Sequence, residues 1–254
     1  MSFGDYLKLD RLSASGAKSL LKAPAIFKWQ QDHPFEPTAA MQLGTLAHRL
    51  VLERDAGEYE VIEGGRGKAE REAVVRSEGL IPVTQDVWNA AHTMAAAVDA
   101  HPLASALLSE GAPEQTILWE QDGVPMKARL DWLAADRVVD LKTTTSANPD
   151  DFRRSIATFG YHVQQAVYEA AFAAMYRTAP RFTFVAVESK APYLVSVIEL
   201  DEEAVDRGRV LMNRAVDLYR ECTASGEWSG YNAVNSVSLP QWALFDQDEE
   251  EIVI

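Results

Sequence analysis

From residue 114 to residue 133 the chain alternates apolar and polar residues, EQTILWEQDGVPMKARLDWL, with one interruption at Asp122-Gly123. Period-two patterning buries one face of a strand, and Asp-Gly between two such runs marks a hairpin turn. RVVDLKTT, residues 137–144, predicts a third short strand. RFTFVAVES (181–189) and YLVSVIELD (193–201) predict two more, split by Lys-Ala-Pro. Between the third and fourth, GYHVQQAVYEAAFAAMYR (160–177) has helical periodicity. Residues 202–222 predict a long closing helix.

The first 110 residues read as mainly helical. Residues 11–31 predict one entry helix, with Ser13 or Ser15 as its cap. Residues 38–53 are apolar on most sides and predict a buried helix. Residues 84–110 predict a helix that breaks before Pro102. EGGRGKAERE (63–72) predicts a mobile loop running into a polar helix, and its glycines lack the spacing of a phosphate-binding loop. The core order is helix, three strands, helix, strand. That order predicts an α/β or α+β fold, a mixed central sheet flanked by helices with an N-terminal helical region.

Composition narrows this further. A chain of 254 residues, 47% hydrophobic, can bury a sizeable core. We expect one domain over 1–254: a helical part (1–110), a sheet-bearing part (113–222) and a tail (223–254) whose DQDEEE stretch, 246–251, is solvated. No apolar run has membrane-spanning length and no leader pattern opens the chain, so a cytoplasmic protein is expected. The single cysteine, Cys222, has no partner for an internal disulfide. The formal net charge of −14 argues against a surface coated for nonspecific nucleic-acid binding, although it leaves room for a local basic groove.

The chemistry concentrates in two of the predicted strands. Asp131 lies on the second arm of the hairpin, and Asp140 and Lys142 lie at i and i+2 of the next strand. Side chains at i and i+2 share a face. If the strands are neighbours, two carboxylates and an ammonium converge. Hard oxygen ligands of this type suit Mg²⁺, with Mn²⁺ able to substitute, and such a cation can activate water against a phosphodiester. A surface strand with alternating charges paired in salt bridges would give the same pattern.

RLDWL followed by DLKTT, with LSASGAKSLLKAPAIFKW, LGTLAHRLVLE, YHVQQAVYEAA and SLPQWA around them, resembles the PD-(D/E)XK nuclease superfamily. Within it the chain resembles the exodeoxyribonuclease VIII (RecE) type carried by phages and prophages. The resemblance implies a restriction-endonuclease-like core. It implies a metal-dependent exodeoxyribonuclease that digests linear double-stranded DNA from an end, 5′ to 3′, leaving single strands for homologous recombination. It also implies a RecT-like single-strand annealing partner, a homo-oligomeric ring and the cytoplasm of a bacterial host.

The resemblance assigns roles by position. Asp131, Asp140 and Lys142 are the catalytic set. His48, in GTLAH, joins Asp131, Asp140 and the Leu141 carbonyl as a metal ligand. Glu114 is the acid that opens the hairpin, and Gln164 and Tyr168, one helical turn apart, position phosphate, water or Lys142. Without the motif, His48 would read as a satisfied core residue and Glu114 as a solvated strand edge. Leu130 stands where the superfamily has proline, a position that ligates nothing. Arg66, Lys68 and Arg71, with Arg153 and Arg154, are the candidate DNA contacts, each also readable as a solvated charge. Two other functions compete: a RecB- or Cas4-like single-strand nuclease, and a non-catalytic module that binds DNA ends or a recombinase. Cas4-like members carry four iron–sulfur cysteines, and the single Cys222 argues against that version.

Overall fold

The structure is a computed structural model that describes residues 1–33 and 38–240. The acidic stretch 246–251 lies outside the described residues. Helix α1 (Phe3–Lys8) opens the chain and was not anticipated. The expected single helix over 11–31 is two, α2 (Ala14–Lys22) and α3 (Pro24–Asp32). Pro24 explains the break: Ala23 before it is forced into extended backbone, and a proline with no N–H is suited to the first turn of a new helix. Ser13 caps α2 by accepting from the Gly16 amide. The helix expected over 38–53 is α4 (Ala39–His48) followed by one π-helical turn, Arg49–Glu53.

A two-stranded parallel sheet, β1 (Tyr59–Ile62) and β2 (Ile81–Thr84), brackets the polar helix α5 (Lys68–Ser77). These four-residue strands carry too short a pattern to stand out in the sequence. Helices α6 (Gln85–Ala100) and α7 (Pro102–Leu107) divide at His101, before Pro102 as expected. Strands β3 (Ala112–Gln121) and β4 (Val124–Leu133) form the predicted hairpin with Gln121 opposite Val124. Strand β5 (Arg137–Thr144) leads to an unanticipated helix α8 (Pro149–Phe159), then α9 (Tyr161–Tyr176), β6 (Arg181–Glu188), β7 (Val195–Ile198) and α10 (Glu202–Ser225).

The main sheet has the order β3-β4-β5-β6-β7. Only β5 and β6 are parallel, and α8 and α9 supply the crossover such a pair requires. Helices cover both faces. One core contains Leu12, Met126, Val138, Phe172, Phe184 and Val216 and belongs to the α2, α9 and α10 side. The other contains Leu46, Val51, Met94, Val139, Leu141 and Val185 and belongs to the α4 and α6 side. Because β5 is buried on both faces, it reads as a nearly continuous apolar run in which a charged residue is conspicuous.

Two irregularities meet at one place. Leu130 belongs to the first core and Trp132, two residues on, to the second, so β4 changes face at Asp131. Across the hairpin, Glu114 has left-handed backbone, φ +56°. The β3–β4 ladder runs from Ala112↔Leu133 to Gln121↔Val124 and omits one pair, Glu114↔Asp131.

Candidate active site

Strand register places the acids in a row. Glu114 falls opposite Asp131 on β3 and β4. The β4–β5 ladder covers only Trp132↔Val139 and Leu133↔Val138, and its next step would set Asp131 opposite Asp140. Like charges directly opposite in a sheet repel. Both ladders fail at this row, and carboxylates occupy the gap. The Leu141 N–H donates to Asp131 Oδ2 at 3.0 Å, so a side chain takes the place of a strand carbonyl.

Each surrounding helix adds a group. Helix α4 brings His48, whose Nδ1 lies 3.6 Å from Asp131 Oδ2. A Cβ at Gly44 would lie 3.0 Å from Thr143 Oγ1, so glycine lets α4 approach β5 closely and carry His48 to the acids. One ligand atom from each of His48, Glu114 and Asp131 falls within 4.8 Å of the others. Asp140 is turned away from this trio. It is 0% exposed, with the Lys142 ammonium against Oδ2 and Gln164 Nε2 donating to Oδ1 at 2.7 Å. Asp140 Oδ2 accepts no well-formed hydrogen bond. The Lys142 ammonium also lies 4.8 Å from the centre of the Tyr161 ring.

Burial and mutual repulsion set the protonation states. Burial, reinforced by the Asp140 charge, raises Asp131 well above the usual carboxylate range. Burial also raises Glu114, against the pull of the Arg129 hydrogen bond. His48 is lowered to about 4 by burial and by the Lys142 charge, which keeps its imidazole neutral at pH 7. Lys142 is penalised by burial, but Asp140 and Asp131 more than offset this and raise it, so it stays an ammonium. Tyr168 is pushed well up by burial and by Asp131, and remains a neutral phenol.

This donor set fits a divalent cation. Carboxylates crowded into one row and a neutral imidazole nitrogen are groups a hard cation would satisfy. The expected ligand set was His48, Asp131, Asp140 and Leu141. The structure groups His48 with Asp131 and adds Glu114, while Asp140 faces Lys142 and Gln164. At Leu141, the contact present is its amide on Asp131.

Sequence reading missed Lys18. Its ammonium donates to Gln164 Oε1 at 3.5 Å and lies 5.9 Å from the centre of the Tyr161 ring. A Cβ at Gly160 would stand 2.9 Å from Lys18 Cδ, and Gly160 itself has φ +64°, so glycine both turns the chain into α9 and lets the lysine stem pass. Lys18, Ser13, Ser15, Tyr6, Gln164 and Tyr168 line a cavity of about 100 Å³ on this side of the acids. The LSASGAK segment carried the signal, but only the tertiary fold brings its lysine to Gln164.

Among the described residues, the candidate DNA contacts make only local contacts of their own. Arg66, Arg153 and Arg154 are exposed, and Arg154 lies 3.7 Å from Asp151. Lys68 pairs with Glu72 at 3.3 Å. Arg71 is pinned to its own loop, donating to the carbonyls of Glu63 and Gly64 at 2.8–3.1 Å. No helix among the described residues is long and apolar enough to cross a membrane.

Comparison with known proteins bears on this arrangement. Residues 13–237 match the family described as PDDEXK-like domain of unknown function (DUF3799). A solved structure from Eubacterium rectale, described as a candidate exonuclease, overlaps 96% of this chain and 97% of its own, with 14% identity and a TM-score of 0.70. A phage-related exonuclease from Haemophilus somnus 129PT overlaps 88% and 100%, with 13% identity and a TM-score of 0.38. An alkaline exonuclease from Laribacter hongkongensis overlaps 87% and 94%, with 13% identity and a TM-score of 0.36. The first overlap is a shared fold; the other two, at their scores, establish nothing further. No curated protein matches the sequence. The sheet, the crossover helices and the match over most of the sequence agree, and the chain belongs to the PDDEXK-like family DUF3799.

Proposed function

We propose that this protein is a metal-dependent exodeoxyribonuclease of the RecE type, digesting linear double-stranded DNA from an end, 5′ to 3′. The observation that supports it is the row Glu114–Asp131–Asp140, with His48 at one side and Lys142 and Gln164 at the other. His48, Glu114, Asp131 and Asp140, with the Leu141 carbonyl, would hold Mg²⁺ or Mn²⁺. When bound, the cation supplies an acidified water and a counter-charge for the phosphodiester.

The chain's own residues do the rest. Lys142 holds a positive charge beside Asp140 in a water-poor site, where it stabilises the negative charge that builds up in the transition state. Gln164 fixes the Asp140 rotamer with its amide and faces Lys18 with its carbonyl. Lys18, Ser13 and Ser15 offer cationic and hydroxyl contacts to a backbone phosphate in the adjoining cavity. Tyr168 closes the floor as a neutral hydroxyl.

Duplex binding relies on phosphate neutralisation, and this chain carries −14. A homo-oligomeric ring reconciles the two, since modest patches around Arg66 and Lys68, or Arg153 and Arg154, add up over several copies. The product strand would pass to a RecT-like annealing partner during recombination in the bacterial cytoplasm. The test is digestion of end-labelled linear duplex with and without Mg²⁺, beside a closed circle. Cation-dependent release of nucleotides from the linear form alone is the expected result. Cutting of the circle at the same rate overturns the end requirement.

A further inference from the structure

Arg129 bears the same relation to Glu114 that Lys142 bears to Asp140. Arg129-Leu130-Asp131 on β4 and Asp140-Leu141-Lys142 on β5 run antiparallel. Continued two positions past the acids, that register would set Arg129 opposite Lys142, although the β4–β5 ladder itself ends at Trp132↔Val139. Arg129 Nε donates to Glu114 Oε2 at 2.5 Å. Its Nη1 donates to Thr116 Oγ1, the register partner, at 3.3 Å, and to the Met1 carbonyl at 3.1 Å. The guanidinium lies 5.9 Å from the centre of the Phe3 ring. Contacts in three directions leave the fork one orientation. Lys127, two residues earlier on β4, donates to the carbonyls of Tyr6, Leu7 and Leu9 and so fastens the far end of the same N-terminal helix.

We propose that Arg129 is a positioning residue that holds Glu114 in place beside His48 and Asp131, so that the cation cluster is formed before the cation arrives. The inference rests on the metal reading above. Glu114 needs such a hold: its backbone is left-handed, its ladder pair is missing, and it faces a second carboxylate. Left alone, repulsion would swing it outward.

The competing role is a plain counter-charge, and the two roles predict opposite signs. Removing a positive charge near a cation site strengthens cation binding by Coulomb's law. Removing a positioner weakens it, because Glu114 must then be ordered at the moment of binding.

The experiment is Mn²⁺ titration calorimetry on the full chain without DNA, for wild type, Arg129→Gln, Arg129→Lys, Glu114→Gln and the Arg129→Gln/Glu114→Gln double variant, with circular dichroism on each. Arg129→Gln is expected to weaken Mn²⁺ binding roughly tenfold, the usual scale when a group orienting a metal ligand is lost. Arg129→Lys keeps the charge but not the fork and is expected to lose affinity too, by less. In the Glu114→Gln background, Arg129→Gln is expected to cost nothing more. Affinity unchanged or raised in Arg129→Gln overturns the inference, as does a loss that persists without Glu114. If neither Arg129 variant folds, the residue is structural and the inference fails. A wild-type chain that takes up no Mn²⁺ overturns the metal reading and this inference with it. Wild-type binding with Arg129→Gln unimpaired overturns the inference alone.

Discussion

Strand β5 has two unlike edges. Toward β6 it pairs at all eight positions, from Arg137↔Arg181 to Thr144↔Glu188. Toward β4 it pairs at two. The β6 side is apolar and closed, with Phe184, Val185, Ala186 and Val187 fully buried. The β4 side carries the acids and the lysine. On one edge, backbone satisfies backbone. On the other, the ladder stops and a carboxylate takes over a strand amide. Regular packing on the closed edge holds the open edge in place, so crowded charges can stay within a few ångströms of one another instead of relaxing apart.

The comparison is broken most directly from the open edge. Asp140→Asn is expected to abolish turnover, since asparagine keeps the shape but not the charge that attracts a hard cation. Lys142→Ala is expected to lower the single-turnover rate on blunt duplex roughly 10²-fold or more while Mn²⁺ affinity holds or rises. Calorimetry beside the rate measurement checks both. A Lys142→Ala enzyme near the wild-type rate would reduce the Asp140–Lys142 pair to a structural salt bridge.

The closed edge responds in stability. Phe184 packs against the rings of Phe152, Tyr161 and Phe182. Phe184→Ala is expected to cost about 3–5 kcal/mol in urea unfolding, with the folded fraction still binding Mn²⁺. Loss of metal binding in a folded Phe184→Ala chain would show that the two edges are not separable.

Lys18 sharpens the contrast through pH. Burial and the Lys142 charge push it down to about 8 from the ordinary 10.5. Between those values the unfolded chain holds the proton that the folded chain has released, so stability rises with pH across that window. Below it, the folded chain carries the charged lysine at full cost. Lys18→Met is therefore expected to be the more stable protein at pH 7, by on the order of 3 kcal/mol at most. Its advantage should fade as the pH approaches 10.5. Paired urea titrations at pH 7 and pH 10 check it; an advantage that does not change means that the ammonium is solvated. The smallest effect expected is at Gly160→Ala, about 1 kcal/mol from the left-handed backbone, with a displaced Lys18 stem. A melting curve beside Lys18's titration by NMR tests both parts.

The sheet was legible because its signals are local. Alternation marked β3 and β4, Asp122-Gly123 marked their turn, and the apolar run around Asp140 marked a third strand beside them. Asn148 caps α8 by accepting from the Asp150 amide, with Pro149 in the first turn, a legible signal that was passed over. In the candidate site, Asp131, Asp140, Lys142 and Gln164 were named from sequence and do converge. Arg129 was in plain view two residues before Asp131, but its partner depends on hairpin register and on a strained Glu114, which alternation does not report. Lys18 lies 146 positions from Gln164, and nothing in the local pattern joins them.

The Leu141 amide offers one further use. Its hydrogen points at a carboxylate oxygen of Asp131, which sits with Glu114 and His48. A proton in that position is deshielded according to the charge it faces. Its ¹⁵N–¹H resonance should therefore register each event at Asp131, whether protonation, cation uptake or the arrival of a phosphate. The protein carries its own probe of the acid row, readable without a label on the substrate and in variants that no longer turn over.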